Sequence, residues 1–220
     1  MGLLPSNNKK RQEELIESII IFVYEHLCKW RNNIVQSNKK IEKQLNPDLP
    51  KFLTVNAHNT EFPFNFYPEE PQRNRRTIDF AVCPDNVEYY NEVITVFECK
   101  RLSTDIGSER KDEYVTGHEN TSGGIQRFKL EAHGKEHGIV GMIGYVQTGT
   151  YLSWKETINN CIDDLCGKPD ENGLCWNKCE HINTLEYDEK NNKYHGKSLH
   201  PRKTKPDITI HHLWINMNVS

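Results

Sequence analysis

Two short runs, Thr77 to Cys83 and Glu92 to Lys100, constrain this chain more than any other feature. Both are rich in β-branched and aromatic residues, and Pro84 to Asn91 between them has the composition of a turn. They read as neighbouring antiparallel strands. Positions 79 and 98 are symmetric about that turn, so regular pairing sets Asp79 opposite Glu98. Side chains two apart share a strand face, so Lys100 projects with Glu98 while Cys99 points away. The flanking residues, Ile78, Phe80, Val82, Val96 and Phe97 among them, predict a largely buried sheet in which unpaired charge is costly. An ion pair between Lys100 and one carboxylate offsets part of that cost and leaves the second acid over. Two close carboxylates repel unless a proton or a cation intervenes, and hard oxygen ligands of this kind suit Mg²⁺ or Mn²⁺.

Around this pair the chain alternates helical and strand patterns. Ile16, Ile20, Val23, Leu27 and Ile34 predict a long opening helix over residues 10–44, broken near Asn32-Asn33 and ended by Pro47 and Pro50. Residues 52–67, with Phe62, Phe64 and Phe66 alternating, read as strand with turns, followed by a polar loop from Pro68 to Arg76. Ser103 to Ser122 reads as a mobile loop with little core of its own. Ile125 to Lys135 is expected as a helix, Ile139 to Gln147 as a buried strand, Trp154 to Cys166 as a helix and Asp207 to Ile215 as a closing strand. Gly167 to Lys205, rich in glycine, asparagine and charge, reads as an excursion from the core. At 220 residues the chain is expected to form one domain, 1–220, with an insertion around 167–205. The order implies an α/β fold, a mixed central sheet with helices on its faces.

A net charge of −3 excludes a protein that coats nucleic acid by bulk attraction, so any such binding uses local patches. Lys9-Lys10-Arg11, Lys39-Lys40, Arg73 with Arg75-Arg76, and Arg202-Lys203 with Lys205 are the candidates. The longest apolar run, Ile19 to Val23, is far too short to span a bilayer, and residues 1–11 lack the pattern of a secretory leader, so a cytoplasmic protein without membrane partners is expected. Seven cysteines fit reduced thiols better than a disulfide framework. Cys161, Cys166, Cys175, Cys179 and the following His181 match zinc spacing only loosely, so structural Zn²⁺ is the lesser reading beside plain thiols.

Ile78-Asp79, the turn, and Glu98-Cys99-Lys100 together resemble the D…ExK core of the PD-(D/E)XK nuclease superfamily, with Ile78 where proline usually precedes the aspartate. The resemblance covers residues 10–150 in element order and implies a restriction-endonuclease-like α-β-β-β-α-β core. It implies phosphodiester hydrolysis, with Asp79, Glu98 and the Cys99 carbonyl holding Mg²⁺ or Mn²⁺ and Lys100 serving the attacking water and the phosphate. It also implies a first-helix carboxylate, for which Glu17 is the best placed of Glu13, Glu14, Glu17 and Glu25, with Glu13 second. Gln126 is expected to position water or phosphate, and Arg127 to neutralise a phosphate beside the amides that follow Gly123-Gly124. The segment from Tyr194 to Arg202 with Ile208 to Trp214 resembles the end of some prokaryotic restriction-like nucleases of defence systems. That likeness makes His200 and Arg202 candidates for backbone phosphates and implies an effector or subunit in antiviral defence. His211 and His212 should be one buried and one exposed by alternation. DNA is the expected partner, RNA the second, with a partner protein, an activating signal or a homo-oligomer choosing the target. The alternative is a catalytically silent nuclease-fold protein that binds nucleic acid or acts as a scaffold.

Overall fold

A computed structural model describes residues 6–35, 41–71, 77–86, 92–104, 112–117, 123–167, 169 and 173–218. The candidate basic patches Lys39-Lys40 and Arg73 with Arg75-Arg76 lie outside them. The described chain is a mixed α/β structure, a seven-stranded sheet flanked by helices. Three helices come first: α1 (Ser6–Val35), the single turn α2 (Glu42–Leu45) and α3 (Asp48–Asn59). Strands β1 (Phe64–Pro71), β2 (Thr77–Pro84) and β3 (Thr95–Leu102) follow, then α4 (Gly124–Lys129), β4 (Ile139–Val146) and α5 (Tyr151–Leu165). Strands β5 (Asn183–Asp188), β6 (Lys193–His200) and β7 (Ile208–Asn216) complete the sheet in the order β1-β2-β3-β4-β7-β6-β5. β3, β4 and β7 are parallel, and the remaining pairs are antiparallel.

Alternation along each strand sends side chains into two cores. Phe80, Val82, Phe97, Cys99, Ile143, Tyr145, Leu213 and Ile215 pack with Ile19, Ile20, Val23 and Leu27 of α1 and Leu49, Leu53 and Ala57 of α3. Ala81, Val96, Val140, Met142, Ile208, Ile210 and Trp214 pack on the other face with Ile125 and Phe128 of α4 and Trp154, Ile158 and Ile162 of α5. Glu98, one residue from Phe97 and two from Val96, therefore lies on the α4 face. β7 is covered on both faces, so His211 and His212 are both buried and the expected exposure of one of them is corrected.

Several other expectations are corrected. α1 continues through Asn32 and Asn33 without a break. Pro47 and Pro50 start a helix and do not merely end one: Pro47 is the N-cap of α3 and Pro50 lies in its first turn, where a missing N–H costs nothing. β1 runs on through Pro68 to Pro71. α4 stops at Lys129, and positive φ angles of 58° at both Glu131 and Gly134 turn the chain back toward β4. Residues 183–200 are no excursion, because β5 and β6 extend the same sheet beyond β7. Tyr114 and Val115, inside the expected mobile loop, are buried core residues. Among the described residues no helix is long and apolar enough to cross a membrane.

One close approach fixes β3. A Cβ on Gly141 of β4 would stand 2.2 Å from the Phe97 ring, which is stacked on Phe80 at 4.6 Å between centroids. Gly141→Ala must push that ring off its partner, so calorimetry should show a loss of about 1–3 kcal/mol, the usual cost of overpacking.

Candidate active site

The β2–β3 ladder pairs Val82 with Thr95, Ala81 with Val96 and Phe80 with Phe97, and there it stops. One further step of this register sets residue 79 opposite residue 98, as the turn symmetry requires. Beyond the stop, carboxylates take the backbone donors of β3. Asp79 Oδ2 accepts from the Cys99 amide at 2.6 Å, and Glu42 Oε1 of α2 accepts from the Arg101 amide at 2.6 Å. Asn46 Nδ2 donates to Asp79 Oδ1 at 2.7 Å. A residue's N–H and C=O point to the same side of its strand, so the Cys99 carbonyl opens beside Asp79.

Glu98 is more tightly held. Its Oε1 accepts from Lys100 Nζ and from Arg127 Nη1, both at 2.8 Å, and its Oε2 meets His133 Nδ1 at 3.1 Å. Burial alone would raise the Glu98 pKa, but Lys100, His133 and Arg127 outweigh it and hold the group at about 2. Asp79 goes the other way. Burial and then the charge of Glu98 lift it to about 7, against the pull of Lys100 and the two amide donors. Burial would lower Lys100, yet Glu98, Asp79 and Glu42 keep it well above its ordinary value. Glu42 and Glu98 thus balance two cations, Lys100 and Arg127, and Asp79 adds a third carboxyl group that keeps its proton up to about pH 7.

Glu42, Asn46 and His133 went unnoticed in the sequence. Glu42 had a weak signal, an acid in the opening segment sought there as a helical carboxylate; Asn46 and His133 reach the site only through tertiary packing. Glu17 lies elsewhere. Its carboxylate meets Lys197 at 3.2 Å and His211 at 3.3 Å, and His211 leads the effects that bring its pKa to about 2, against its partial burial. Glu17 and Arg202 line a cleft of about 920 Å³ at the starts of β3, β4 and β7. Arg202 Nη1 donates to the carbonyls of Lys135 and His137 at 3.1 and 3.0 Å and so staples two loops. Gln126 is buried, with its amide N–H given to the Val115 carbonyl at 2.9 Å, and the Arg127 amide goes to Gly123. Those two α4 amides are therefore taken, not turned to an anion.

His200 is wholly buried, which corrects the expectation that it meets phosphate. It belongs to a hydrogen-bonded chain whose hydrogens can be assigned. Burial would raise Glu180, but His200 and Lys129 lower it, so it is a carboxylate that only accepts, and His200 Nδ1 at 2.7 Å must donate to it. Burial keeps His200 neutral, so its Nε2 accepts from Ser198 Oγ at 2.7 Å. That uses the one hydroxyl hydrogen, so His212 Nε2 at 2.7 Å donates to Ser198. His212, also held neutral by burial, then accepts at Nδ1 from Tyr114, whose oxygen accepts from Trp214 Nε1 at 2.9 Å. Lys129 closes the chain on Glu180.

The thiols do not gather. Cys161 faces Asp112, Cys166 the Ile162 carbonyl, and Cys175 and Cys179 are exposed; His181 pairs with Asp163 at 2.9 Å. Among the described residues no group of three or more His, Cys, Asp or Glu side chains is arranged for a metal ion. Asp79, Glu98 and the Cys99 carbonyl are oxygen donors of the kind Mg²⁺ takes with several waters retained. Asn46 Oδ1, buried and without a hydrogen-bond partner among the described residues, adds an unmet oxygen next to Asp79. That donor set, with Asp79 ready to give up its proton near neutral pH and the unmet Asn46 oxygen beside it, fits a divalent cation. Comparison with family models, with curated proteins and with solved structures found no match to this chain.

Two measurements follow from these groups. Between the ordinary value of 3.8 and about 7, folded Asp79 holds a proton that the unfolded chain has lost, so its contribution falls as pH rises through that window. In EDTA, Asp79→Asn should match wild-type stability near pH 4 and exceed it by on the order of 3 kcal/mol above pH 8. Denaturant melts across pH check this, and a difference that does not grow with pH refutes it. Nitrogen-15 NMR should find His200 as the Nδ1–H tautomer and His212 as the Nε2–H tautomer.

Proposed function

We propose that this chain is a Mg²⁺- or Mn²⁺-dependent nuclease of PD-(D/E)XK type that hydrolyses phosphodiester bonds, with DNA as its substrate. One observation carries the reading: Asp79 stands at the mouth where β2 parts from β3, on the Cys99 amide next to Glu98 and Lys100, which are hydrogen-bonded to each other and whose charges both act on it. The element order from α1 to β4, with β3 and β4 parallel across α4, accords with a restriction-endonuclease-like core.

Asp79, Glu98 and the Cys99 carbonyl would hold the cation, which would supply charge stabilisation at the phosphoryl oxygen. Lys100 spends one of its three ammonium hydrogens on Glu98. The other two can orient the attacking water and meet the negative charge that grows on the phosphate. Glu42 and Asp79 hold that ammonium charged, so it acts as a fixed cation and not as a base. Arg127, partly exposed beside Glu98, is a second cation within reach of a phosphate.

A role as effector or subunit in prokaryotic antiviral defence rests on the resemblance of residues 194–202 and 208–214 alone. The small net charge fits target choice by a partner protein, an activating signal or self-association. A second reading, a catalytically silent protein that binds nucleic acid or serves as a scaffold, is favoured by the three donors already on Glu98.

Plasmid, single-stranded DNA and an RNA oligomer, each incubated with Mg²⁺ or Mn²⁺, test these readings. Wild type should cut DNA, and Asp79→Asn and Lys100→Ala should each lower the rate on the order of a hundredfold or more. Variants that cut as well as wild type would remove the site assignment, whereas binding without cutting by every form would support the silent reading.

A further inference from the structure

We infer that Arg127 occupies the cation's place on Glu98 in the metal-free protein and passes to a substrate phosphate when the cation arrives, coupling metal binding to nucleic-acid binding. This rests on the metal-dependent reading of the same site.

The two oxygens of Glu98 have unequal partners. Oε2 faces His133, a ring that is 1% exposed and cannot move without opening the core. Oε1 carries both cations, with Lys100 12% and Arg127 24% exposed at the side chain. Because His133 closes Oε2, a cation shared with Asp79 has to take Oε1, where three positive groups cannot share one carboxylate oxygen. Lys100 is hydrogen-bonded to Glu98 and also feels the carboxyl groups of Asp79 and Glu42 nearby. Arg127 has one carboxylate partner there, is the most exposed of the three donors, and stands in the last turn of the short α4.

Its guanidinium is also incompletely satisfied. Arg127 Nε is buried and has no hydrogen-bond partner among the described residues. A planar guanidinium offers donors in the fork geometry that a phosphate accepts two at a time, which a single carboxylate oxygen does not use. Displacement from Glu98 thus costs one ion pair and gains a ligand for which the group is better shaped. His133 keeps Glu98 oriented throughout. By linkage, a metal that frees Arg127 must tighten nucleic-acid binding, and nucleic acid that captures Arg127 must tighten metal binding by the same factor.

Titration calorimetry of Mn²⁺ into EDTA-stripped protein, and anisotropy of a labelled phosphorothioate DNA duplex with and without Mn²⁺, test the coupling. Removing the competing cation in Arg127→Gln should tighten Mn²⁺ binding roughly two- to fivefold, the factor of one partly exposed ion pair. The duplex should bind wild type more tightly when Mn²⁺ is added, and Arg127→Gln should lose most of that gain. Unchanged or weaker Mn²⁺ binding in Arg127→Gln, or an equal Mn²⁺-dependent gain in both proteins, overturns the inference. If Arg127→Gln does not fold by circular dichroism, Arg127→Met, which keeps the packed stem, carries the same comparison. If wild type shows no Mn²⁺ site that Asp79→Asn abolishes, the metal-dependent reading falls first, and this inference with it.

Discussion

Past the Phe80 and Phe97 pair, β2 no longer satisfies β3, and two backbone amides inside a covered sheet need acceptors. A buried unpaired N–H costs about 1–3 kcal/mol, so some oxygen has to stand there. Water is one general answer and a neighbouring strand another; here Asp79 and Glu42 supply it. The opening of the ladder therefore sets where carboxylates sit, and their charge then sets what else can be buried nearby. Lys100 is affordable at its depth because those carboxylates surround it, and Arg127 and His133 complete the balance on Glu98.

The stack behind β3 supports this opening. Phe97 lies over Phe80 in the space that Gly141 leaves, so the last regular rung of the ladder is closely packed. Close packing at one rung and divergence at the next give Asp79 a defined position without a ladder partner in β3. The α1 and α3 side contributes bulk, whereas the α4 side contributes the polar partners of Glu98. The two faces of one strand thus carry separate duties, one packing and one electrostatic.

Strands β2 and β3 and their register were legible because a strand's period is short and the turn between them has a marked composition. The opposition of positions 79 and 98 needed only that symmetry. The α3 helix was not legible to a reading that took Pro47 and Pro50 as stops, although Leu49, Leu53 and Ala57 recur at helical spacing. Glu42, Asn46 and His133 depend on how a short helix and a turn dock on the sheet, which no local pattern encodes. β5 and β6 were hidden for a different reason. Tyr194, Ser198 and His200 are polar residues on a buried face, and alternation of apolar residues is blind to a strand whose interior is hydrogen-bonded. His211 and His212 misled in the same way, since alternation separates faces but does not say how many of them are covered.

The chain of hydrogens from Trp214 through Tyr114, His212, Ser198 and His200 to Glu180 all run in one direction. Reversing it would need every member to change at once and would turn a ring lone pair against the Glu180 carboxylate. The sheet interior accordingly has a single protonation pattern. His195, which burial chiefly and His211 beside it bring down to about 4, behaves alike on the other face. Three imidazoles that would ordinarily exchange protons near neutrality are thereby withdrawn from the protein's buffering, and mild acidification reaches the interior through Asp79 and not through them.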